Sequence, residues 1–486
     1  MSTHSDRTGK AQKGGGLYAR RADIFPRAVD GFYRRLKWAI MGVTLAIYYI
    51  TPWLRWDRGP YAPDQAVLVD LANRRFYFFS IEIWPHEFYY VAGLLVMAGV
   101  GLFLLTSTVG RAWCGYACPQ TVWTDLYLHI ERFIDGDRNA QLRLKKAPLG
   151  PKKIFKRVTK HAAFLIVAVL TGGAWVFYFA DAPTLARDLV AGDAATVAYL
   201  TIGVLTFTTY WLGGWMREQV CIYMCPWPRI QSAMLDERSL IVTYKDWRGE
   251  PRSRGTKRQS DDPVGDCIDC NACVAVCPTG IDIREGPQIG CITCALCIDA
   301  CDEMMSKVDR PRGLIDYATL EDCDAERKGA APVPVRRTIF RSRTFLYFGL
   351  WAAVGLGMLF MLGQRTRLDL SVGQERNPLY VQLSGGEVRN AYTVKIRNME
   401  TRPRPVRVSI EGLPGAVMWD SLGSDDSAAA ALEIEVGPDQ VERRRIYVRA
   451  PRQGEAPAEF RFRLTSLDGM PAEDIDSVRF DRPGEN

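Results

Sequence analysis

The chain has 486 residues, 48% of them hydrophobic, and a formal charge of +7. That size allows several domains, or a membrane segment joined to a soluble module, and so modest a charge gives no signal for nucleic acid. All thirteen cysteines lie at or before Cys323, a split that suggests two compartments or two unrelated modules.

Residues 1–36 are polar and basic. No short apolar segment with a small-residue cleavage site follows them, so no signal peptide is expected. The pair Arg20–Arg21 has surroundings that match an export signal poorly. Residues 37–54 form a first apolar run, long enough to cross a bilayer. Residues 56–85 are mixed and aromatic, with an interfacial character. Further runs at 88–109, about 161–179, about 194–215 and 344–362 complete five predicted spans. Between the second and third lie Arg138, Arg143, Lys145, Lys146, Lys152, Lys153, Lys156, Arg157 and Lys160. The connection after the third sets Asp181, Asp188 and Asp193 against Arg187. The positive-inside rule then places the N-terminus, the basic connection and the later cysteine-rich stretch in the cytoplasm, and the tail after the fifth span outside.

The second and fourth runs end in RAWCGYACPQ and EQVCIYMCPWP. Both contain C-x-Y-x-C-P: Cys114, Tyr116, Cys118 and Pro119, then Cys221, Tyr223, Cys225 and Pro226. Cysteines four apart share one face of a helix, and the following proline marks a boundary or kink. Two such hairpins bundled together would bring four thiols to one place at the cytoplasmic edge. Soft thiolates suit Cu(I), zinc or an iron–sulfur cluster, or they cycle between dithiol and disulfide. The bland alternative is four small hydrophobes packed at helix ends.

Residues 267–301 repeat C-x-x-C-x-x-C-x-x-x-C. The first copy is Cys267, Cys270, Cys273 and Cys277, and the second is Cys291, Cys294, Cys297 and Cys301. In two-cluster ferredoxins the fourth cysteine of each copy serves the other cluster. One [4Fe–4S] cluster is therefore expected on Cys267, Cys270, Cys273 and Cys301, and a second on Cys291, Cys294, Cys297 and Cys277. Zinc sites use cysteine pairs set well apart rather than three at tight spacing, and disulfides need an oxidising compartment. Asp302 stands where a proline usually follows the second copy, which removes no ligand.

From Asp369 the pattern changes to alternation. AYTVKIRN, PVRVSIEG, ALEIEV, RRRIYVRAP, EFRFRLTS and SVRF are short and β-branched, separated by Gly, Pro, Asn and Asp. They predict a β-sandwich of immunoglobulin type whose role is contact with another protein or a stabilising cap. Weaker candidates are scattered. Cys323 is expected as an exposed or capped thiol, His129 on an interfacial amphipathic helix, and His86 and Glu87 at the headgroups. Met304 and Met305 are expected in packing, and Arg284, Lys307 and Arg310 either offset cluster charge or are solvated.

Paired C-x-Y-x-C-P motifs, tandem ferredoxin motifs, five apolar runs and a β-rich tail together resemble one family. The chain is similar to CcoG, also called FixG or RdxA, a family of bacterial membrane polyferredoxins. The membrane half is also similar to a wider group that includes NapH and NosR. The resemblance implies 1–36 as a basic cytoplasmic segment and 37–235 as a four-span region with the thiol motifs. It implies 236–343 as a cytoplasmic two-cluster ferredoxin domain, 344–363 as the fifth span and 364–486 as a periplasmic immunoglobulin-like sandwich. The expected location is the bacterial inner membrane.

The activity implied is electron transfer that reduces Cu(II) to Cu(I) for assembly of a cbb-type cytochrome oxidase. Cys114, Cys118, Cys221 and Cys225 would be the copper or redox thiols, or the ligands of a further metal centre. The partners implied are the lipid bilayer, an unidentified cytoplasmic electron donor, copper, and oxidase subunits or copper chaperones and transporters. Two other readings stand beside it. One is a redox-sensing scaffold that docks oxidase subunits through the tail, and the other is quinol-linked transfer to a periplasmic reductase.

Overall fold

The computed structural model describes residues 23–60, 62–253, 264–331, 339–400, 402–423, 427–452, 458–469 and 472–483. Arg20–Arg21 and most of the basic N-terminal segment lie outside the described residues. In chain order the helices begin with α1 (Phe32–Ile50), α2 (Tyr89–Val109), α3 (Ala112–Tyr116), α4 (Pro119–Asp135), α5 (Arg138–Lys146) and α6 (Pro151–Val176). They continue with α7 (Ala182–Ala191), α8 (Thr196–Thr209), α9 (Trp227–Met234), α10 (Asp246–Gly249), α11 (Ala272–Val276), α12 (Leu296–Lys307), α13 (Leu320–Arg327) and α14 (Ser342–Gly363).

Among the described residues three helices are long and apolar enough to cross a membrane: Pro85–Val109, Pro151–Val176 and Ser342–Gly363. Ala182–Ala191 and Thr196–Met216 pass only together, as one bent pair. The first predicted run fares differently. Its helix α1 carries Arg34, Arg35 and Lys37 in its first turns, and the apolar remainder rises only about 20 Å against a core of about 30 Å. Helix α6 starts ten residues before the predicted run, because the basic stretch from Lys152 to Lys160 is itself helical.

The chain divides into two compact units. The first comprises the described parts of Met1–Tyr49, Ala98–Val176 and Ala195–Trp351. Here small residues set the spacing between helices. A Cβ on Gly172 would sit 2.9 Å from the Ile202 carbonyl oxygen, and one on Gly213 would sit 2.9 Å from the Tyr127 ring. Charges buried at the α4 level come in pairs, with Arg34 Nη1 donating to both Asp125 oxygens at 2.9 and 3.0 Å. Glu131 meets Lys160 and Arg217, each at 3.0 Å. Removing one partner of such a buried pair costs about 3–5 kcal/mol.

The cysteine-rich stretch folds in the same unit on a two-stranded antiparallel ribbon, β4 (Ile241–Tyr244) with β5 (Ile315–Ala318). Val242, Ile268, Ile283, Ile298, Met305, Leu314 and Ile315 form its core. Helix α1 is tied to it, since the Arg34 and Tyr33 amides donate to the Asp299 carboxylate at 2.8 and 3.2 Å. Gly31 allows that approach: a Cβ there would fall 2.3 Å from Asp299 Cγ.

The second unit comprises Ile50–Met97, Phe177–Ala194 and the described parts of Ala352–Asn486. A three-stranded antiparallel sheet, β1 (Val67–Asp70), β2 (Arg75–Phe78) and β3 (Ile81–Ile83), occupies the stretch that looked merely interfacial. Strands of three or four residues are too short to show an alternation. Glu87 is buried and ion-paired with Arg365 at 3.0 Å.

The C-terminal sandwich has β6 (Leu368–Gln374), β7 (Val381–Gln382), β8 (Glu387–Asn398), β10 (Val417–Asp420) and β12 (Gln440–Pro451) in one sheet. The other holds β9 (Arg404–Glu411), β11 (Ala431–Val436), β13 (Ala458–Ser466) and β14 (Glu473–Phe480). All six predicted strands form. Their inward residues, among them Val394, Ile396, Val408, Val448, Phe462 and Leu464, make one core across both sheets.

Candidate iron–sulfur and thiol sites

The two cysteine motifs share one backbone conformation. In the first copy Asp269 and Asn271 have φ of 51° and 56°, and in the second Thr293 and Ala295 have 56° and 60°. These are the same two positions of the repeat. Non-glycine residues, a β-branched threonine among them, rarely adopt this region and hold it only where the surroundings impose it. Alternating left-handed residues turn successive amides inward, a concavity suited to an anionic centre. The third cysteine of each copy then enters a helix, Cys273 in α11 and Cys297 in α12.

Cys277 lines one cavity with Cys291, Cys294 and Cys297, and Cys273 also borders it. Burial pushes the Cys294 thiol up to about 12, and neighbouring Cys277 and Cys291 add to the effect. Burial also pushes Cys301 up to about 12, with Cys273, Cys270 and Cys267 beside it. The fourth cysteine of each copy thus faces the first three of the other. Among the described residues no three His, Cys, Asp or Glu side chains close around a single metal ion. A cubane bonds each thiolate to a different iron, so its four ligands need not close on a single ion, and four cysteines gathered from the two copies suit it.

Around these loops Arg284 donates to Asp282 and Asp269 at 2.6–2.8 Å. Lys307 pairs with Glu303, and Arg310 donates to the Gly265 and Asp266 carbonyls. Met305 is buried, as expected. Cys323 is also buried, beside the Thr243 hydroxyl, so of the exposed or capped thiol expected there the exposed form does not occur. His129 lies on α4 with its ring edge-on to Trp38.

At the second set of thiols the shared helix face does not form. Cys114 is in α3, but Cys118 is extended and begins α4 ahead of Pro119. Cys221 sits in a π-helical turn, Val220–Met224, and Cys225 is extended ahead of Pro226. In both copies the proline forces its predecessor out of the helix, so each pair straddles a break. The four are nonetheless gathered. Burial pushes Cys114 up to about 12, with Cys118, Cys221 and Cys225 contributing and Arg111 opposing. Burial likewise pushes Cys221 up to about 11, with Cys118 and Cys225 next to it.

The surroundings of this quartet were not visible in the sequence. The Cys114 thiol donates to Gln231 Oε1 at 2.9 Å, and Gln231 Nε2 donates to the Thr106 hydroxyl. Arg111 is buried and donates from Nη1 to the Ile289 carbonyl at 2.8 Å. Its Nε and Nη2 have no hydrogen-bond partner among the described residues, and its guanidinium is a buried cation near the thiols. Helix α3 lies directly on the second cysteine loop: a Cβ on Gly115 would come within 2.7 Å of the Ile292 oxygen and 3.0 Å of Cys294 Cα. The Tyr116 hydroxyl donates to the Cys294 carbonyl at 3.2 Å, and the Tyr317 hydroxyl to the Thr293 carbonyl at 2.7 Å.

Family models match three stretches: a 4Fe-4S dicluster domain at 216–320, a 4Fe-4S binding domain at 91–135, and at 358–483 the "IG-like fold at C-terminal of FixG, putative oxidoreductase". The chain is 56% identical to "Nitrogen fixation protein FixG" of Rhizobium meliloti, covering 97% of this chain and 94% of that one. The chain belongs to the FixG/RdxA family. RdxA of Cereibacter sphaeroides is 53% identical over 95% of this chain and 97% of its own length. RdxB of the same organism is 59% identical over 81% and 83%. This FixG-family chain is an iron–sulfur electron-transfer protein with two clusters, an immunoglobulin-like C-terminal domain and several apolar helices of membrane-spanning length. The 91–135 match includes Cys114 and Cys118 but stops short of Cys221 and Cys225.

Proposed function

We propose that this protein reduces Cu(II) to Cu(I) at the Cys114, Cys118, Cys221 and Cys225 quartet and supplies it to a cbb-type oxidase. In this reading it is an inner-membrane protein with several spans. The ferredoxin domain, residues 236–343, faces the cytoplasm and a donor there, and the sandwich, residues 364–486, faces the periplasm and the oxidase subunits or copper chaperones. Cys267, Cys270, Cys273 and Cys301 hold one cluster, and Cys291, Cys294, Cys297 and Cys277 hold the other. Each cluster supplies one-electron storage.

The observation that carries the reading is the seat of α3 on the Ile292–Cys294 backbone, with no side chain between them at Gly115. Copper held at the quartet would be next to the second cluster loop. The protein's own groups suit this task. Soft thiolates prefer Cu(I) over Cu(II), so capture favours the reduced product. Arg111 offsets the negative charge of the thiolates formed as metal binding releases their protons to water.

The test is anaerobic. The full-length, cluster-loaded protein is reduced and freed of reductant, and Cu(II) is added with a chromophoric Cu(I) chelator. Each Cu(II) takes one electron, so about two Cu(I) per chain should appear as cluster absorbance recovers to that of the oxidised form. Clusters that stay reduced while copper stays cupric would overturn the reading.

A further inference from the structure

A cavity of about 410 Å³ lies between α1, the C-terminal end of α2, α3 and β5. Its apolar wall is built by Leu36, Ile40, Leu105, Val109 and Trp113. Leu105 and Val109 belong to the last turns of an apolar helix of spanning length, so a lipid-soluble ligand can reach this wall. The other end is polar and carries Tyr33, Tyr116, Asp316 and Tyr317. The Tyr33 and Tyr317 rings pack at 5.5 Å. The Tyr116 and Tyr317 hydroxyls bond the carbonyls of Cys294 and Thr293 in the second cluster loop.

We propose that this cavity is a binding site for a lipophilic quinone or quinol. It matches in size the sites that enclose a small molecule with few polar groups at one end. No cation is among the lining residues, which disfavours a phosphate headgroup. A plain acyl chain would fill the apolar wall and make no use of the Tyr33 hydroxyl or of the second Asp316 oxygen, whose partner Oδ1 already accepts from the Tyr317 amide. A flat ring with oxygens at its edge and an apolar tail uses both ends. Tyr33 can donate to a ring carbonyl, and the Asp316 carboxylate can accept from a ring hydroxyl. Burial raises the proton affinity of that carboxyl above the ordinary range, with Lys245 opposing.

The site would provide an electron entry or exit distinct from a soluble donor, and it rests on reading Cys277, Cys291, Cys294 and Cys297 as a cluster site. Oxidation of one quinol releases two electrons and two protons: the electrons match two one-electron clusters, and the protons leave by Asp316 to water. The reverse balance holds for quinone reduction.

The test uses the full-length, cluster-loaded protein in detergent and a photoreactive azidoquinone with a decyl tail. Crosslinked peptides should map to 33–40 and 105–117. Excess decylquinone should suppress the label, while decanol, the tail alone, should not. Leu105→Trp fills the apolar end and should cut labelling about tenfold or more, equivalent to at least about 1.4 kcal/mol of affinity, with iron content unchanged. If that variant fails to load iron, Ile40→Phe is read in its place. Label that decanol displaces equally, label mapped elsewhere, or wild-type labelling of an iron-replete filled variant would each overturn the proposal. Iron assayed on the same wild-type sample separates this failure from failure of the cluster reading, which would leave the chain without iron.

Discussion

The protein contains two duplicated cysteine motifs, and they have kept their symmetry to different degrees. In the ferredoxin stretch both the spacing and the backbone repeat: Asp269 and Asn271 in one copy, Thr293 and Ala295 in the other, all left-handed. In the C-x-Y-x-C-P pair the letters repeat but the settings do not. Tyr116 is 7% exposed and bonded to the Cys294 carbonyl, whereas Tyr223 is 68% exposed. Cys114 lies in an α-helical turn and Cys221 in a π-helical one. Where a copy must enclose the same object as its twin, conformation is held at every position. In the second pair the cysteines and the helix-breaking proline repeat while their surroundings differ.

The largest effects come from testing that first symmetry. With ligands crossed between copies, Cys277→Ser and Cys294→Ser affect the same cluster. The double variant should therefore keep about four of eight irons, no worse than either single change. Cys277→Ser combined with Cys267→Ser should lose nearly all iron. Equal iron in the two double variants would sink the crossed arrangement.

Next is the junction between the two regions. Gly115→Leu places a side chain where 2.7 Å is available to the Ile292 oxygen. Loops cannot absorb that without moving apart, and a displacement of about 1 Å at a working contact costs roughly a hundredfold in rate. Stopped-flow copper reduction should fall by about that factor while cluster absorbance persists.

A smaller effect is expected at Arg111. Replacing it with methionine removes the buried cation beside Cys114 and Cys221. Cu(I) retention, measured by competition with a chelator, should weaken about tenfold, since close opposite charge shifts a thiol by one unit or more. The smallest effect tests the broken symmetry itself. Tyr116→Phe should lower stability by about 1 kcal/mol, the net worth of one hydrogen bond, and Tyr223→Phe should change neither melting temperature nor copper reduction. Equal responses would mean that the two tyrosines are equivalent after all.

Much of this architecture was legible because it depends on local order. Strand alternation in the tail, for instance AYTVKIRN within β8, reports which residues enter a core. Cysteine spacing reports a turn, and proline reports a helix end. What escaped depends on distant contacts. Gln231 matters through a bond to Cys114, 117 residues away, and Arg111 through the Ile289 carbonyl, 178 residues away. Asp316 and Tyr33 meet only because α1 is pinned to Asp299. The β1–β3 sheet escaped for another reason, since its strands are too short to carry a period. The cysteines of the quartet were easy to nominate. Their shared helix face was not to be had, because the same proline that makes the motif recognisable also breaks the helix.

Gly115 has one more consequence. Because peptide backbone meets peptide backbone there, the separation between the quartet and the second cluster loop is set by main-chain thickness and not by the volume of any side chain. Substitutions in the surrounding wall can change polarity, hydration or access while that gap stays the same. In the proposed reading electrons cross this junction, and because tunnelling falls off steeply with distance it would act as a fixed resistor in a circuit whose other components are free to be retuned.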